Sequence, residues 1–325
     1  MRRVPAMGDL RTTGGALLAA AVLAAAFLPP HAGESAAQEK QRAGRTTAAA
    51  QPAGAESTAT ARTDSLRRAA GARTADSLAA QRLQPKTRVL RRLQQDAFGV
   101  GEKLVFDVNY GYITAGEAVM HVAAFDSVAG RRCYRVEFSV NSLPSFSWIY
   151  EVKDRYLTFI DFETLAPWKF EQHIREGSYR RDFVAEFDQI RLRAKTTEGE
   201  HDIPEYVHDI MSAFYYARTL DFSGVAKGDG PVLHNFYKDK SYELKVRLLG
   251  REELEVEAGT FRTIVVEPLV VEGGLFKSEG RIVIWLTDDE RKIPVRVNTK
   301  VIIGSIDSEL REYSGLSGPL RSRIR

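Results

Sequence analysis

Asp154 and Arg155 sit between two strand-like runs, and Arg218 falls near the C-terminal end of a helical stretch. A guanidinium fork matches the oxygens of a carboxylate or phosphate, so either arginine is a candidate reader of an anionic head group. The structural reading of the same residues is an Asp154–Arg218 ion pair that docks helix onto sheet. His201, Asp202, His208 and Asp209 are the densest His/Asp group. A catalytic metal takes three protein ligands backed by carboxylates. These four flank a loop at Pro204, where polar residues collect anyway, so no metal is assigned. His208 and Ser212 stand four apart, but no Gly-x-Ser-x-Gly elbow surrounds any serine. Of Glu252, Glu253, Glu255 and Glu257 the latter three fall on one strand face and read as solvated, since a glycosidase pair would have to come from facing segments. The sequence assigns no catalytic residue and no cofactor.

Aromatic density is the remaining chemical signal. Phe146, Trp148, Tyr150, Tyr156, Phe159, Phe162, Trp168 and Phe170 fall within 25 residues. Alternation puts Phe146, Trp148 and Tyr150 on one strand face, which either lines a site for an acyl chain or glycan or packs a core. The candidate ligand-binding residues are therefore Trp148, Tyr150, Asp154, Arg155 and Arg218. Cys133 is the single cysteine. It allows neither an intramolecular disulfide nor a thiolate metal site and reads as a buried thiol.

The elements that must position these residues begin after Asp96. Leu104, Phe106, Val108 and Tyr110 alternate on one face, and Ala118–Phe125 follows after a Gly111–Gly116 turn region. Further strand runs are Cys133–Val140, Tyr150–Asp154 leading into Leu157–Asp161, Trp168–Arg175, Tyr179–Phe187 and Ile190–Thr196. Between Tyr206 and Leu220 the period becomes helical, with Ile210, Phe214 and Ala217 beside Met211 and Asp209 placed as N-cap. A second series runs over Val232–Lys238, Lys240–Leu249, Arg251–Ala258, Phe261–Leu269, Gly280–Thr287, Ile293–Lys300 and Gly304–Tyr313. About fourteen strands in one antiparallel sheet must twist and curl. The expected fold is mainly β: a strongly curved sheet, a half-barrel or incomplete barrel, with one main helix on its concave side. A β-sandwich is the alternative, and it would be packed solid where the curved sheet leaves a cavity.

Composition divides the chain at the same point. Residues 1–96 hold one aromatic, Phe27, and carry net charge +8, whereas residues 97–325 hold the other 30 aromatics and carry −5. An acidic folded part argues against nucleic-acid binding. Arg2, Arg3 and Arg11 precede a 15-residue apolar run, Gly14–Leu28, then Pro29 and Pro30, the order of a secretory signal peptide. The run is short for a bilayer span. Cleavage is expected after Ala37, or alternatively after Ala32, giving a signal peptide over 1–37 and an exported chain with no stable membrane anchor. No cysteine follows the apolar run to take a lipid. Residues 38–96, rich in Ala, Arg, Thr and Gln, lack the side chains to offset ordering entropy and read as a disordered basic tether, with a short surface helix around Leu83, Leu90 and Leu93. A single β domain over 97–314, with its helix at about 206–220, and a frayed tail over 315–325 complete the division.

Several phrases carry a family resemblance. Phe98-x-x-Gly101-Glu102-x-Leu104-x-Phe106-x-Val108-x-Tyr110-Gly111 with Ala115-Gly116-x-Ala118 resembles the opening of a bacterial envelope family, the domain of unknown function numbered 3108. Val152-x-Asp154-Arg155, Asp161-x-x-x-Leu165-x-Pro167, Asp209-x-x-Ser212-x-x-Tyr215-x-x-Arg218, Ala258-Gly259-Thr-Phe261 and Ile284-Trp285-Leu286-Thr-Asp288-Asp289 continue it in order to about Tyr313. The resemblance implies a secreted or periplasmic β domain and no reaction. The reading that follows is an exported, non-enzymatic envelope protein that holds a lipid or other amphiphile in a cavity between curved sheet and helix. The alternatives are a structural or adaptor domain that binds another envelope protein, and an envelope hydrolase.

Overall fold

Alternation of apolar and polar residues from Lys103 onward yields strands that pair almost wholly with their sequence neighbours. The structure, a computed structural model, describes residues 88–324 apart from 238, 273–274, 277–280 and 301–303. The expected signal peptide and residues 38–87 of the expected tether lie outside the described residues. The elements are β1 (Lys103–Tyr110), β2 (Ile113–Val128), β3 (Arg131–Ser142), α1 (Pro144–Ser147), β4 (Lys153–Asp161), β5 (Pro167–Glu176), β6 (Tyr179–Asp188), β7 (Arg193–Thr196), β8 (Gly199–Asp202), α2 (Ile210–Ala217), β9 (Val232–Tyr237), β10 (Lys240–Val256), β11 (Gly259–Glu272), β12 (Leu275–Phe276), β13 (Ile282–Thr287), β14 (Pro294–Lys300) and β15 (Ser305–Ser314).

The strands form one antiparallel sheet in the order β8-β7-β6-β5-β4-β3-β2-β1-β15-β14-β13-β11-β10-β9, with β12 paired to β11. This is the mainly β, curved and unclosed sheet expected, and the sandwich alternative falls because the described residues form no second sheet to stack. The ends of the order, β8 and β9, do not pair. The run between β8 and α2 lies in the gap instead: His208 N donates to His234 O at 2.8 Å, Phe236 N to His208 O at 2.7 Å, and Gln189 Nε2 to Val207 O at 3.1 Å.

α2 lies on the concave side. Ile210, Met211, Ser212, Ala213, Phe214, Tyr215 and Ala217 are all buried, so the helix is enclosed around its circumference rather than along one stripe. It is shorter than the expected span of about 206–220. Tyr206 takes a left-handed conformation, and His208 gives its backbone to β9, so turns begin only after Asp209, whose carboxylate caps Met211 N at 2.8 Å and Ser212 N at 2.9 Å. Two other elements differ from expectation. Lys240–Leu249 and Arg251–Ala258 are a single strand, β10, because a register shift between Leu248 and Gly250 makes a bulge there and not a turn. Phe146, Trp148 and Tyr150 share no strand face. Pro144 starts the turn α1, and Trp148 follows as its C-cap.

Arg218, the C-cap of α2, is fully buried and joins four separate pieces of chain. Its Nη1 and Nη2 meet Glu102 at 2.6 and 2.8 Å; Nη2 also donates to Ala97 O at 3.0 Å and Nε to Arg291 O at 3.2 Å. The expected Asp154–Arg218 pair is thus corrected in its partner. Glu102 faces the helix end, while Asp154 accepts from Arg175 N at 2.8 Å. Both termini of the described chain are also tied down. Residues 90–96 form no helix: Leu93 N donates to Glu163 O at 2.7 Å, and the Arg91 guanidinium lies 4.0 Å over the Tyr206 ring. The tail expected to fray docks through Asp289, which accepts from Ser322 N at 3.0 Å and Ser322 Oγ at 2.7 Å, while Ile324 N donates to Thr260 O. Gly315 starts this path at φ +65°, and a Cβ there would sit 1.9 Å from Gly101 O.

Removing one partner of a buried pair strands the other charge. Arg218→Met is expected to lower unfolding free energy by about 3–5 kcal/mol in urea titration, and Glu102→Leu combined with Arg218→Met to recover most of the loss. Deleting residues 315–325 is expected to cost about 2 kcal/mol in the same titration, where a frayed tail would cost nothing.

Candidate functional site

The interior leaves little room for a ligand. The void between α2 and the sheet, lined by Phe106, Met120, Phe138, Phe214 and Pro294, measures about 10 Å³, as does a second beside Val140 and Val152. Each holds at most about one water. The expected cavity between sheet and helix is therefore filled by the helix's own side chains.

A cleft of about 650 Å³ opens instead where the helix runs out toward the rim of the sheet. Residues 93–97 form one side, Tyr134 of β3 and Phe162 after β4 another, and Arg218 to Asp221 with Glu290 and Lys292 the third. Alternation on β3 turns Tyr134 inward with Val136 and Phe138. Tyr134, Phe125 and Phe162 then gather with ring centroids 4.9–5.6 Å apart, Phe98 stacks edge-on against Tyr134 at 5.2 Å, and the Arg132 guanidinium lies 3.7 Å over Phe125 and 4.7 Å over Phe162. Phe125 and Phe162 each remain 39% exposed, so the aromatic wall faces water.

The opposite wall carries charge of both signs, Asp221 and Glu290 beside Lys292. Asp221 is held below the usual carboxylate range by the Ser223 backbone and hydroxyl. Asp289 accepts from Thr287 Oγ1, Arg291 N and Lys292 N, and this turn presents Lys292 at φ +41°. Burial depresses the Lys292 ammonium, with Asp221 and Asp289 opposing that shift. Arg218 floors the cleft with its donors already committed to Glu102 and backbone carbonyls.

The residues singled out from sequence scatter. Arg218 reaches the cleft. Trp148 is 80% exposed beyond α1, with its indole N–H donating to Ser145 O at 2.9 Å. Arg155 points outward from β4. Tyr150 and Asp154 do converge, on the buried Glu176. Tyr134, Phe162 and Lys292 were not chosen. Phe162 stands only in the aromatic count and Lys292 just before the Ile293–Lys300 run, so no sequence pattern joins them.

A second set of polar groups with shifted proton affinity lies inside the packed fold, away from the cleft lining. Asp154, Tyr156 and Thr158 follow one another on the inner face of β4, all buried. Burial raises the Asp154 carboxyl and raises the Tyr156 phenol well above its usual range. Thr158 Oγ1 donates to Asp209 Oδ2 at 2.7 Å, yet burial still pushes Asp209 up to about 6. Its neighbour His208, stacked on Tyr216 at 4.7 Å, is pushed down to about 3 by burial and by Arg91. His201 packs on Phe236, Asp202 pairs with Arg193 at 2.6 Å, and Ser212 Oγ bonds Asp209 O rather than His208. Among the described residues no three His, Cys, Asp or Glu side chains gather as a metal-binding group. Cys133 is buried, and burial lifts its thiol to about 12.

The sequence profile described as protein of unknown function (DUF3108) matches residues 105–311. No curated protein matches. Among solved structures, the chain is similar to a β-barrel-like protein of the domain of unknown function DUF1849 from Brucella abortus, at 10% identity and TM-score 0.47 over 68% of this chain and 98% of that one. It is also similar to a protein with a YmcC-like fold from Bacteroides fragilis, at 11% identity and TM-score 0.33 over 70% of this chain and 100% of that one. A third is a hypothetical protein from Chlamydia trachomatis, at 10% identity and TM-score 0.29 over 70% of this chain and 92% of that one.

His208 and Asp209 give opposite pH dependences. A depressed histidine stabilises the fold above pH 6.5 and loses that contribution as pH falls toward 3; a raised aspartate stabilises it below pH 3.8 and loses that contribution as pH rises through 6. Asp209→Asn keeps a capping side chain but removes the second term. Relative to wild type, its stability is expected to be lower at pH 4 than at pH 7 by about 2–3 kcal/mol, read from denaturant unfolding at both pH values.

Proposed function

The chain belongs to the DUF3108 family, and from that premise we propose that it is a non-enzymatic protein of the bacterial envelope whose cleft takes a lipid or other amphiphile. The observation that carries this reading is a cleft of about 650 Å³ in which partly exposed aromatic side chains face a wall of mixed charge, while the void between α2 and the sheet measures only about 10 Å³. That volume is typical of small-ligand sites. Tyr134 and Phe162 offer aromatic surface to an acyl chain, while Asp221 and Glu290 suit the cationic part of a zwitterionic head group. Lys292 suits its anionic part. Export rests on the charged, apolar and small-residue order of residues 1–37. A hydrolytic role has less support, because Asp154, Glu176, Tyr156 and Asp209 are buried away from the cleft.

The test is native mass spectrometry of the purified chain, followed by titration with dodecylphosphocholine. Extra mass that leaves on denaturation, or a thermal shift with this probe, is expected. At a probe concentration one hundred times Kd the stabilisation should reach about 2.7 kcal/mol. Phe162→Ala should weaken binding about tenfold without unfolding the protein, since its ring is partly exposed. A bare polypeptide mass with no response to the probe overturns the amphiphile reading and leaves the adaptor role.

A further inference from the structure

At the end of the sheet opposite the cleft, three turns carry exposed apolar side chains. Tyr112 and Ile113 stand between β1 and β2 at 108% and 60% exposure, Trp148 and Ile149 beyond α1 at 80% and 54%, and Tyr179 after the β5–β6 turn at 46%. The turns are locked to one another. Leu143 N donates to Ala115 O at 2.9 Å, fixing α1 to the start of β2, and Gly177 N donates to Glu151 O at 2.8 Å, fixing the far side of α1 to the β5–β6 turn. The five side chains therefore form one rigid rim. Residues 108–116 and 138–150, which supply four of the five, contain no ionisable acid or base except the tyrosine phenols.

Charge returns directly behind the tips. Lys153 and Arg155 project from the start of β4, and Arg180 from the start of β6, where its guanidinium donates to the Gly177 and Tyr179 carbonyls. The acids beside this collar are already paired, Glu151 with Lys153 at 2.7 Å and Glu137 with Arg135 at 3.2 Å, while Arg155 stands 3.9 Å from Glu137 and keeps most of its guanidinium exposed. Apolar tips, then Trp and Tyr, then a basic collar is the depth order of a bilayer interface, from acyl boundary to lipid phosphate. The space between the turns, beside Ala115, Phe146 and Val152, measures only about 10 Å³, too little to seat a side chain of a protein partner. Trp148 already satisfies its N–H on Ser145 O, so its ring enters an apolar layer without stranding a donor.

We propose that this rim docks the domain onto the surface of an anionic phospholipid bilayer, with Trp148 and Ile149 inserted and Lys153, Arg155 and Arg180 at the phosphates. The contact is reversible and independent of the cleft.

The test uses the chain from Gln38 to its C-terminus, mixed with vesicles of phosphatidylethanolamine and phosphatidylglycerol, with vesicles of phosphatidylcholine as reference. Trp148 is the reporter, since Trp168 is already buried and the Trp285 indole is bonded to Glu252. The expected result is a blue shift of the exposed-tryptophan emission with the anionic vesicles, weaker with phosphatidylcholine. Ile113→Ser combined with Ile149→Ser should lower the partition coefficient about tenfold. Ile190→Ser, an exposed apolar site at the other end, should leave it unchanged. Sedimentation with vesicles without a Trp148 shift would place the attraction in the basic N-terminal residues and overturn the proposal. So would a shift that grows with protein concentration in the absence of lipid, which marks contact between copies, or an equal loss in Ile190→Ser.

Discussion

The buried guanidinium of Arg218 is the constraint around which the domain is arranged. Its donors are spent on Glu102, Ala97 and Arg291, so the end of α2, the start of β1, the entering chain and the β13–β14 turn meet at one planar group. Such a pair adds little net free energy over an apolar substitute, but it tolerates no other geometry, because either charge left alone in the interior is costly. It fixes the helix axially inside the curved sheet. The filled interior and the open cleft are two consequences of that one placement.

Fold class was legible because it rests on periodicity. Leu104, Phe106 and Val108 alternate as an inward face must, and the change to helical spacing at Ile210, Phe214 and Ala217 marked the one element able to sit against a curled sheet. The Asp209 cap was legible for the same local reason. What stayed hidden was set by partners far away in sequence. Glu102 and Arg218 are 116 residues apart, and nothing near Arg218 distinguishes Glu102 from Asp154 as its mate. Pro144 was the signal missed in the β3–β4 connection, since proline at the first turn of a helix converts an alternating run into α1 and swings Trp148 outward.

The candidate site was harder to read than the fold. Phe125, Tyr134 and Phe162 come from β2, β3 and the loop after β4, and each looks like an ordinary core aromatic in its own segment. They become a wall only because the bend of the sheet leaves Phe125 and Phe162 half uncovered at its rim. Lys292 enters through turn geometry: Asp289 gathers the backbone of the β13–β14 connection and also receives Ser322 from the C-terminal tail. The tail therefore helps to shape the cleft wall without lining it.

The strand order also fixes how the chain can assemble. Neighbours in the sheet are consecutive in sequence, apart from a step over β12 and the junction of β1 with β15, where Lys103 lies opposite Ser314. Arg311 spans that junction, with 2.6 Å contacts to Asp107 on β1 and Glu117 on β2. Two meanders can therefore zip up hairpin by hairpin with short loop closures, while the seam between them must wait for the last strand to be delivered. A chain emerging from its N-terminus holds β1 as an uncovered edge until β15 is delivered, so the longest-range pairing of the sheet is also the last one that can form.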